Sequence, residues 1–225
     1  MPAALPEPVG RDALSHGRRL ADQAHDAIET QIATLKLRPG APIVEAEVIE
    51  SVGLGRTPTR EALMRLVAAG LIVQLPRRGM LVSEIRLDEQ LDLLEARRAL
   101  ECVIAGAAAR RATPPQREAM LACAQRMADA AQADDLDAYM AADQALDRQI
   151  HAASRNRFAT AAILPMVIQC RRFWYAHQHH GDMGRGAALH QALAAAIVAG
   201  DPVVAQQRAH ELLDELRRFV LKVIE

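Results

Sequence analysis

Apolar residues recur at helical spacing from Arg18 onward, with Leu20, Ala24, Ala27, Ile28, Ile32 and Leu35 on one stripe, until Leu37-Arg38-Pro39-Gly40 interrupts it. A first helix is predicted there. A second, short helix is predicted over Glu45 to Val52, closed by Gly53, which accepts the positive φ of a helix end. A third is predicted with Thr57 as N-cap, Pro58 at the first helical position where a missing N–H costs nothing, and Ala62, Leu63, Leu66 and Val67 facing inward. Gly70 ends it. Two short apolar runs, Leu71 to Leu75 and Met80 to Val82, flank Pro76-Arg77-Arg78-Gly79 and read as a β-hairpin with a basic tip.

After Arg86 the pattern changes to long amphipathic stretches broken at Thr113-Pro114-Pro115, Asp134-Asp135, Arg155-Asn156, Gly181 to Gly186 and Gly200-Asp201-Pro202. About six helices of roughly 17 to 25 residues would form a bundle. The predicted fold class is therefore mainly α. A winged helix-turn-helix of three helices plus a small β-hairpin occupies 18–85, and an all-α bundle of about six helices occupies 88–225. Residues 1–17, with Pro2, Pro6 and Pro8 and little apolar periodicity, are expected to be a disordered tail.

Composition agrees with stacked helices, since aromatic residues make up only 3% of the chain. Cys102, Cys123 and Cys170 lie far apart in apolar helical contexts, which suggests neither a metal knuckle nor a disulfide framework and fits a reducing cytoplasm. No apolar run approaches the roughly 18 residues that span a bilayer, and the N-terminus lacks the hydrophobic stretch of a secretion signal, so no membrane partner is expected. The net charge is −1, which argues against coating nucleic acid through bulk electrostatics. Local charge differs: between Gly55 and Met80, Arg56, Arg60, Arg65, Arg77 and Arg78 face one acid, Glu61.

Arg56 and Arg60 are about one turn apart, so both can face a major groove while Leu63 and Leu66 face a core. Arginine suits that position because its planar fork bonds two acceptors on a guanine edge or clamps a phosphate. Thr57 and Thr59 add short hydroxyls. A merely solvated helix face is the competing reading, and the ordered succession of Pro58, Gly70-Leu71 and Arg77-Arg78-Gly79 counts against it.

Leu37-Arg38-Pro39-Gly40, Arg56-Thr57-Pro58-Thr59-Arg60-Glu61-Ala62-Leu63, Gly70-Leu71 and Arg78-Gly79 together resemble the N-terminal domain of the GntR family of bacterial transcription regulators. The resemblance implies DNA contact by Arg56, Thr57, Thr59 and Arg60 from the third helix, and by Arg78 and Gly79 from the wing. Two positions depart from the family: Gly55 stands where a Ser or Thr is usual, and Ala46 where some members carry a basic residue.

Asp92-Leu93-Leu94-Glu95-Ala96-Arg97-Arg98-Ala99-Leu100-Glu101, Asn156, and Leu189-His190 through Gly200-Asp201 are similar to the FCD-type effector domain of the FadR branch of that family. Members of the branch are typically homodimers that bind a small organic acid, often through a divalent metal held by an Asp and three His. Here Asp143 takes the aspartate position, Asp147 that of the first histidine, His190 the second and Leu212 the third, with His210 about 200° away round the helix. Asp143, Asp147 and His190 have the chemistry to hold Zn²⁺, Ni²⁺ or Mn²⁺. His177, His179 and His180 could add to the set, or be a solvated helix end. Arg97, Arg171 and Arg172 are candidates for a bidentate pair with a carboxylate effector, with Trp174 and Tyr175 as pocket walls or ordinary packing.

The implied function is a ligand-responsive repressor of a metabolic operon, released from a palindromic double-stranded operator by a small organic acid, and not an enzyme. Two alternatives remain beside it. One is a metal-dependent hydrolase or lyase built on Asp143, Asp147 and His190, although no HExxH helix, nucleophile elbow or phosphate loop is present. The other is a regulator that binds its acid through arginine without any metal.

Overall fold

The structure is a computed structural model that describes residues 11–225, with side chains from residue 19. The chain divides between Glu84 and Ile85 into two compact units.

The first unit holds α1 (Arg11–Ala33), β1 (Pro42–Ile43), α2 (Glu45–Val52), α3 (Arg56–Ala68), β2 (Ile72–Leu75) and β3 (Gly79–Val82). Of the expected tail, residues 1–10 lie outside the described residues, and 11–17 belong to α1, so that helix is already formed ahead of the predicted Arg18. Its apolar stripe is buried as the spacing required: Ala24, Ile28 and Ile32 are fully buried. Gly53 closes α2 with φ 69°. The hairpin β2–β3 forms in antiparallel register, Leu75 opposite Gly79 and Ile72 opposite Val82. β1, too short to show periodicity in the sequence, adds to the other edge of β3 and gives the order β1-β3-β2.

The start of α3 differs from expectation. Gly55, not Thr57, is the N-cap, so Pro58 sits in the third helical position, where its missing N–H is still one of the unpaired donors of the first turn. Thr59, Ala62, Leu63 and Leu66 form the buried stripe of α3.

The second unit holds α4 (Gln90–Arg111), α5 (Pro114–Gln132), α6 (Leu136–Ser154), α7 (Arg157–His177), a 3₁₀ turn at Gln178–His180, α8 (Met183–Ala199) and α9 (Pro202–Ile224). Each break seen in the sequence carries a cap. Gln116 Oε1 accepts from the Thr113 N–H at 3.0 Å. Asp135, Asn156, Asp182 and Asp201 accept from first-turn N–H groups of α6, α7, α8 and α9. Each such cap is worth about 1 kcal/mol. Asp182 starts α8 early enough that Gly184 and Gly186 lie inside the helix rather than in the predicted break.

Ile104, Met120, Leu146, Ile163, Leu193, Ile197, Leu212 and Leu213 form the main core, with a smaller cluster around Met127, Tyr139, Met140 and Ala187. Burying each large apolar side chain contributes about 1.5–3 kcal/mol. Small residues Ala105 to Ala109 let neighbouring helices come close to α4; a side chain at Gly106 would press on the Gln206 amide of α9. The fold is mainly α, a winged helix-turn-helix unit and a six-helix unit, as the pattern predicted.

Candidate functional site

Two places in the molecule gather chemistry. The first is the solvent side of α3 with the tip of β2–β3. Arg56, Thr57 and Arg60 are exposed, as are Arg77, Arg78 and Gly79. The Arg56 side chain is 80% exposed and its Nε lies 3.9 Å from Glu45, a contact too solvated to hold it. Arg77 has φ 61° and Gly79 φ 87°, so the turn lifts two adjacent arginines away from the sheet.

Thr59 is the exception among the residues predicted to touch DNA. It is fully buried, and its hydroxyl donates to the Gly55 carbonyl at 3.0 Å. The physical reason was readable: Thr59 lies three and four residues before Ala62 and Leu63, hence on the core stripe.

The second place is a cavity of about 80 Å³ in the six-helix unit, room for a few water-sized groups. Arg97, Asp143, Asp147, Arg171, His190 and Leu212 line it, with Trp174, Tyr139 and Phe219 as aromatic walls. Tyr139 stacks on Trp174 at 5.4 Å between ring centroids, and Phe219 packs against Trp174 at 6.1 Å. Asp143 and Asp147, one turn apart on α6, are both held by Arg171 of α7. Nε donates to Asp143 Oδ2 at 2.8 Å and Nη2 to Asp147 Oδ2 at 2.9 Å. His190 of α8 places Nε2 3.3 Å from Asp143 Oδ1 and Nδ1 2.8 Å from the Gly186 carbonyl.

Burial alone would raise the Asp143 pKa, but the Arg171 guanidinium and His190 outweigh it and hold the carboxyl well below the usual carboxylate range. Burial alone would lower that of His190, and its hydrogen bond to Asp143 reverses the direction, so the imidazole pKa is raised. Arg97 is buried beside Glu101, with Nη2 donating to Glu101 Oε1 at 3.4 Å, while Arg97 Nε and Glu101 Oε2 have no hydrogen-bond partner. Unlike Arg171, this guanidinium keeps unused donor capacity in a desolvated place.

Asp143, Asp147 and His190 do converge, but a guanidinium lies among them and takes one oxygen of each carboxylate, and the fourth position is the hydrocarbon Leu212. Among the described residues the one group with metal-ligand spacing is His25, Asp26 and Glu29 on α1, whose His25–Glu29 pair has ordinary i,i+4 geometry.

Of the residues predicted to bind an effector, Arg97, Arg171 and Trp174 line the cavity and two do not. Arg172, about 100° round α7 from Arg171, points into the core, fully buried, and donates to Gln169 at 3.0 Å. Tyr175 gives its hydroxyl to Asp137 at 3.1 Å on the outer side of the helix. Of the unassigned histidines, His180 reaches the cavity wall, His177 packs on Phe173 at 4.8 Å, His179 lies beside His180, and His210 lies beside Arg98 and Cys102. Sequence reasoning missed Tyr139, Asp182, Glu215 and Lys222, which also line the cavity. They belong to no local motif, and only the packing of α6, α8 and α9 unites them.

No helix among the described residues is long and apolar enough to cross a membrane. Residues 20–82 match the gntR family of bacterial regulatory proteins, and residues 92–215 match the FCD domain. A probable D-xylose utilization operon transcriptional repressor of Paenarthrobacter nicotinovorans is 27% identical over 187 residues, 83% of this chain and 82% of that protein. The HTH-type transcriptional repressor RspR of Escherichia coli is 33% identical over 94 residues, 42% of this chain and 41% of that protein. Among solved structures, E. coli McbR/YncC shares the fold, with a TM-score of 0.77 at 19% identity over 92% of this chain and 99% of that one. The gntR match and the two relatives named as repressors are regulators, and this chain is a regulator rather than the hydrolase or lyase of the alternative reading. The chain belongs to the GntR family of bacterial regulatory proteins and is a DNA-binding transcription regulator whose second unit is an FCD domain.

Proposed function

We propose that this regulator is a repressor of a metabolic operon in the cytoplasm, bound as a homodimer to a palindromic operator and released when a small organic acid enters the cavity of the six-helix unit. In this reading Arg56, Thr57 and Arg60 contact the major groove, and Arg78 and Gly79 of the wing contact backbone or minor groove. Thr59 has no part in the contact, because its side chain is turned into the core.

The observation that supports ligand control is Arg97, a buried cation among the residues that line the cavity, whose Nε has no hydrogen-bond partner. A carboxylate seated there would gain a charge-assisted hydrogen bond where little water competes. Arg97, Arg171 and Lys222 are offset by Asp143, Asp147, Asp182 and Glu215 around the same cavity. Its charges nearly cancel, so a ligand is selected by directed bonds rather than by field. That favours a small acid carrying hydroxyl or amine groups for the carboxylates to accept from.

Mobility shift on the promoter beside its own gene, with a panel of small hydroxy and amino acids, tests this. One acid is expected to weaken operator binding by roughly 5- to 150-fold. In the double variant Arg97→Met/Glu101→Leu, which removes both buried charges together, that release is lost. Release of undiminished size in that variant would overturn the placement of the effector.

A further inference from the structure

We propose that Arg171 is the resident cation of this pocket: its guanidinium, bridging Asp143 and Asp147, stands in the place of a divalent metal, and the unit folds and receives its effector without one. The proposal deepens the reading of the cavity as an effector site, but its central test needs neither DNA nor effector.

Four positions on three helices define the place where an ion would sit: residues 143 and 147 on α6, 190 on α8 and 212 on α9, all lining one cavity. The oxygens that Asp143 and Asp147 turn toward α7 already accept from one guanidinium, at 2.8 and 2.9 Å. The other Asp143 oxygen faces His190 Nε2 at 3.3 Å, so the imidazole nitrogen that would ligate is directed at a carboxylate. Leu212 supplies no donor atom. An ion entering here would have to break three buried polar contacts, expel or approach a permanently charged guanidinium, and accept an incomplete ligand set.

Arg171 also does what a metal does mechanically. It ties α6 to α7, and through Asp143 it draws in His190 of α8. Its planar fork fixes the direction of both carboxylates, as tetrahedral coordination would in a metal site. Because those donors are spent, Arg171 is a positioning residue, and the ligand's carboxylate is left to Arg97.

The test loads the full-length protein with Zn²⁺, Ni²⁺ or Mn²⁺, removes excess ion, and measures bound metal by mass spectrometry and isothermal titration. Wild type is expected to keep no stoichiometric metal in the pocket, and its thermal midpoint to be indifferent to chelator. Arg171→Ala, which uncovers the carboxylates, is expected to bind Zn²⁺ roughly tenfold or more tightly than wild type. Metal that persists equally in Asp143→Asn/His190→Ala is bound elsewhere, and that result upholds the proposal. One equivalent of metal in wild type that is lost in this double variant overturns it. The wild-type comparison decides the matter even where Arg171→Ala fails to fold. Effector-dependent release that persists in chelator is the expected result with DNA, whereas release abolished by chelator overturns the proposal. The absence of any effector response would instead count against the effector reading alone.

Discussion

On α3, Arg56 stands 80% exposed with a loose contact to Glu45, and Arg60 is likewise in solvent; in the six-helix unit, Arg171 is buried and gripped by two carboxylates. The same side chain thus serves two ends. An arginine with unspent donors in water can bind a polyanion, gaining both contact and released counterions. One whose donors are spent on buried carboxylates can only hold its neighbours in place. Arg97 lies between these limits, buried yet with Nε unsatisfied, and it is the guanidinium best suited to a small anion.

The contrast can be broken most severely at the reading face. Arg56→Ala with Arg60→Ala is expected to cost about 2–6 kcal/mol of specific operator binding, at about 1–3 kcal/mol per base-reading arginine. Thermal stability should barely move. Fluorescence anisotropy at two salt concentrations checks this, and intact specific binding would show that α3 is not the reading helix.

At Arg171 the expectation inverts. Arg171→Ala leaves two buried carboxylates uncompensated and should destabilise the six-helix unit by about 3–5 kcal/mol in urea unfolding. pH sharpens the point. Asp143, held below the usual carboxylate range, contributes stability that is present above about pH 4 and is lost as pH falls. His190, raised, contributes stability that is full below about pH 6.5 and is lost as pH rises through its folded value. Thermal midpoints should therefore fall on both sides, and Asp143→Asn should flatten both limbs.

Gly186→Ala is expected to have a smaller effect, about 1–3 kcal/mol of overpacking. The added methyl would meet the Tyr139 hydroxyl, whose ring stacks on Trp174 at the cavity wall. Trp174 fluorescence should report the displacement. The smallest effect is expected at Thr59→Val, which keeps the buried shape and removes one intrahelical hydrogen bond, worth about 1 kcal/mol of stability. Operator affinity should stay within about twofold; a large loss would return Thr59 to the interface.

Local signals made most of the fold legible. Pro39-Gly40, Gly53, Gly70 and the Asp and Asn caps mark boundaries because a single residue's conformation or hydrogen bond decides them. The start of α3 misled by a small shift, since Gly55 rather than Thr57 caps it. The sequence offers Arg171 as a ligand binder and Asp143 and Asp147 as metal ligands. That the first would neutralise the second could not be read from sequence, because they lie 28 and 24 residues apart and on different helices. Arg172 shows the converse. Adjacent to Arg171 in sequence, it is committed to the core by the 100° step between neighbours.

The caps that open α6, α7, α8 and α9 have an evolutionary consequence. Asp135, Asn156 and Asp201, which start α6, α7 and α9, are not among the cavity-lining residues, so the beginnings of those helices do not depend on which residues they present inward; Asp182 alone both caps its helix and lines the cavity. Substitutions at the lining can then accumulate without shifting the helices that carry them. A lineage can exchange a histidine for an aspartate or a leucine, recruit an arginine in their place, and acquire a new ligand while the frame that holds it stays the same.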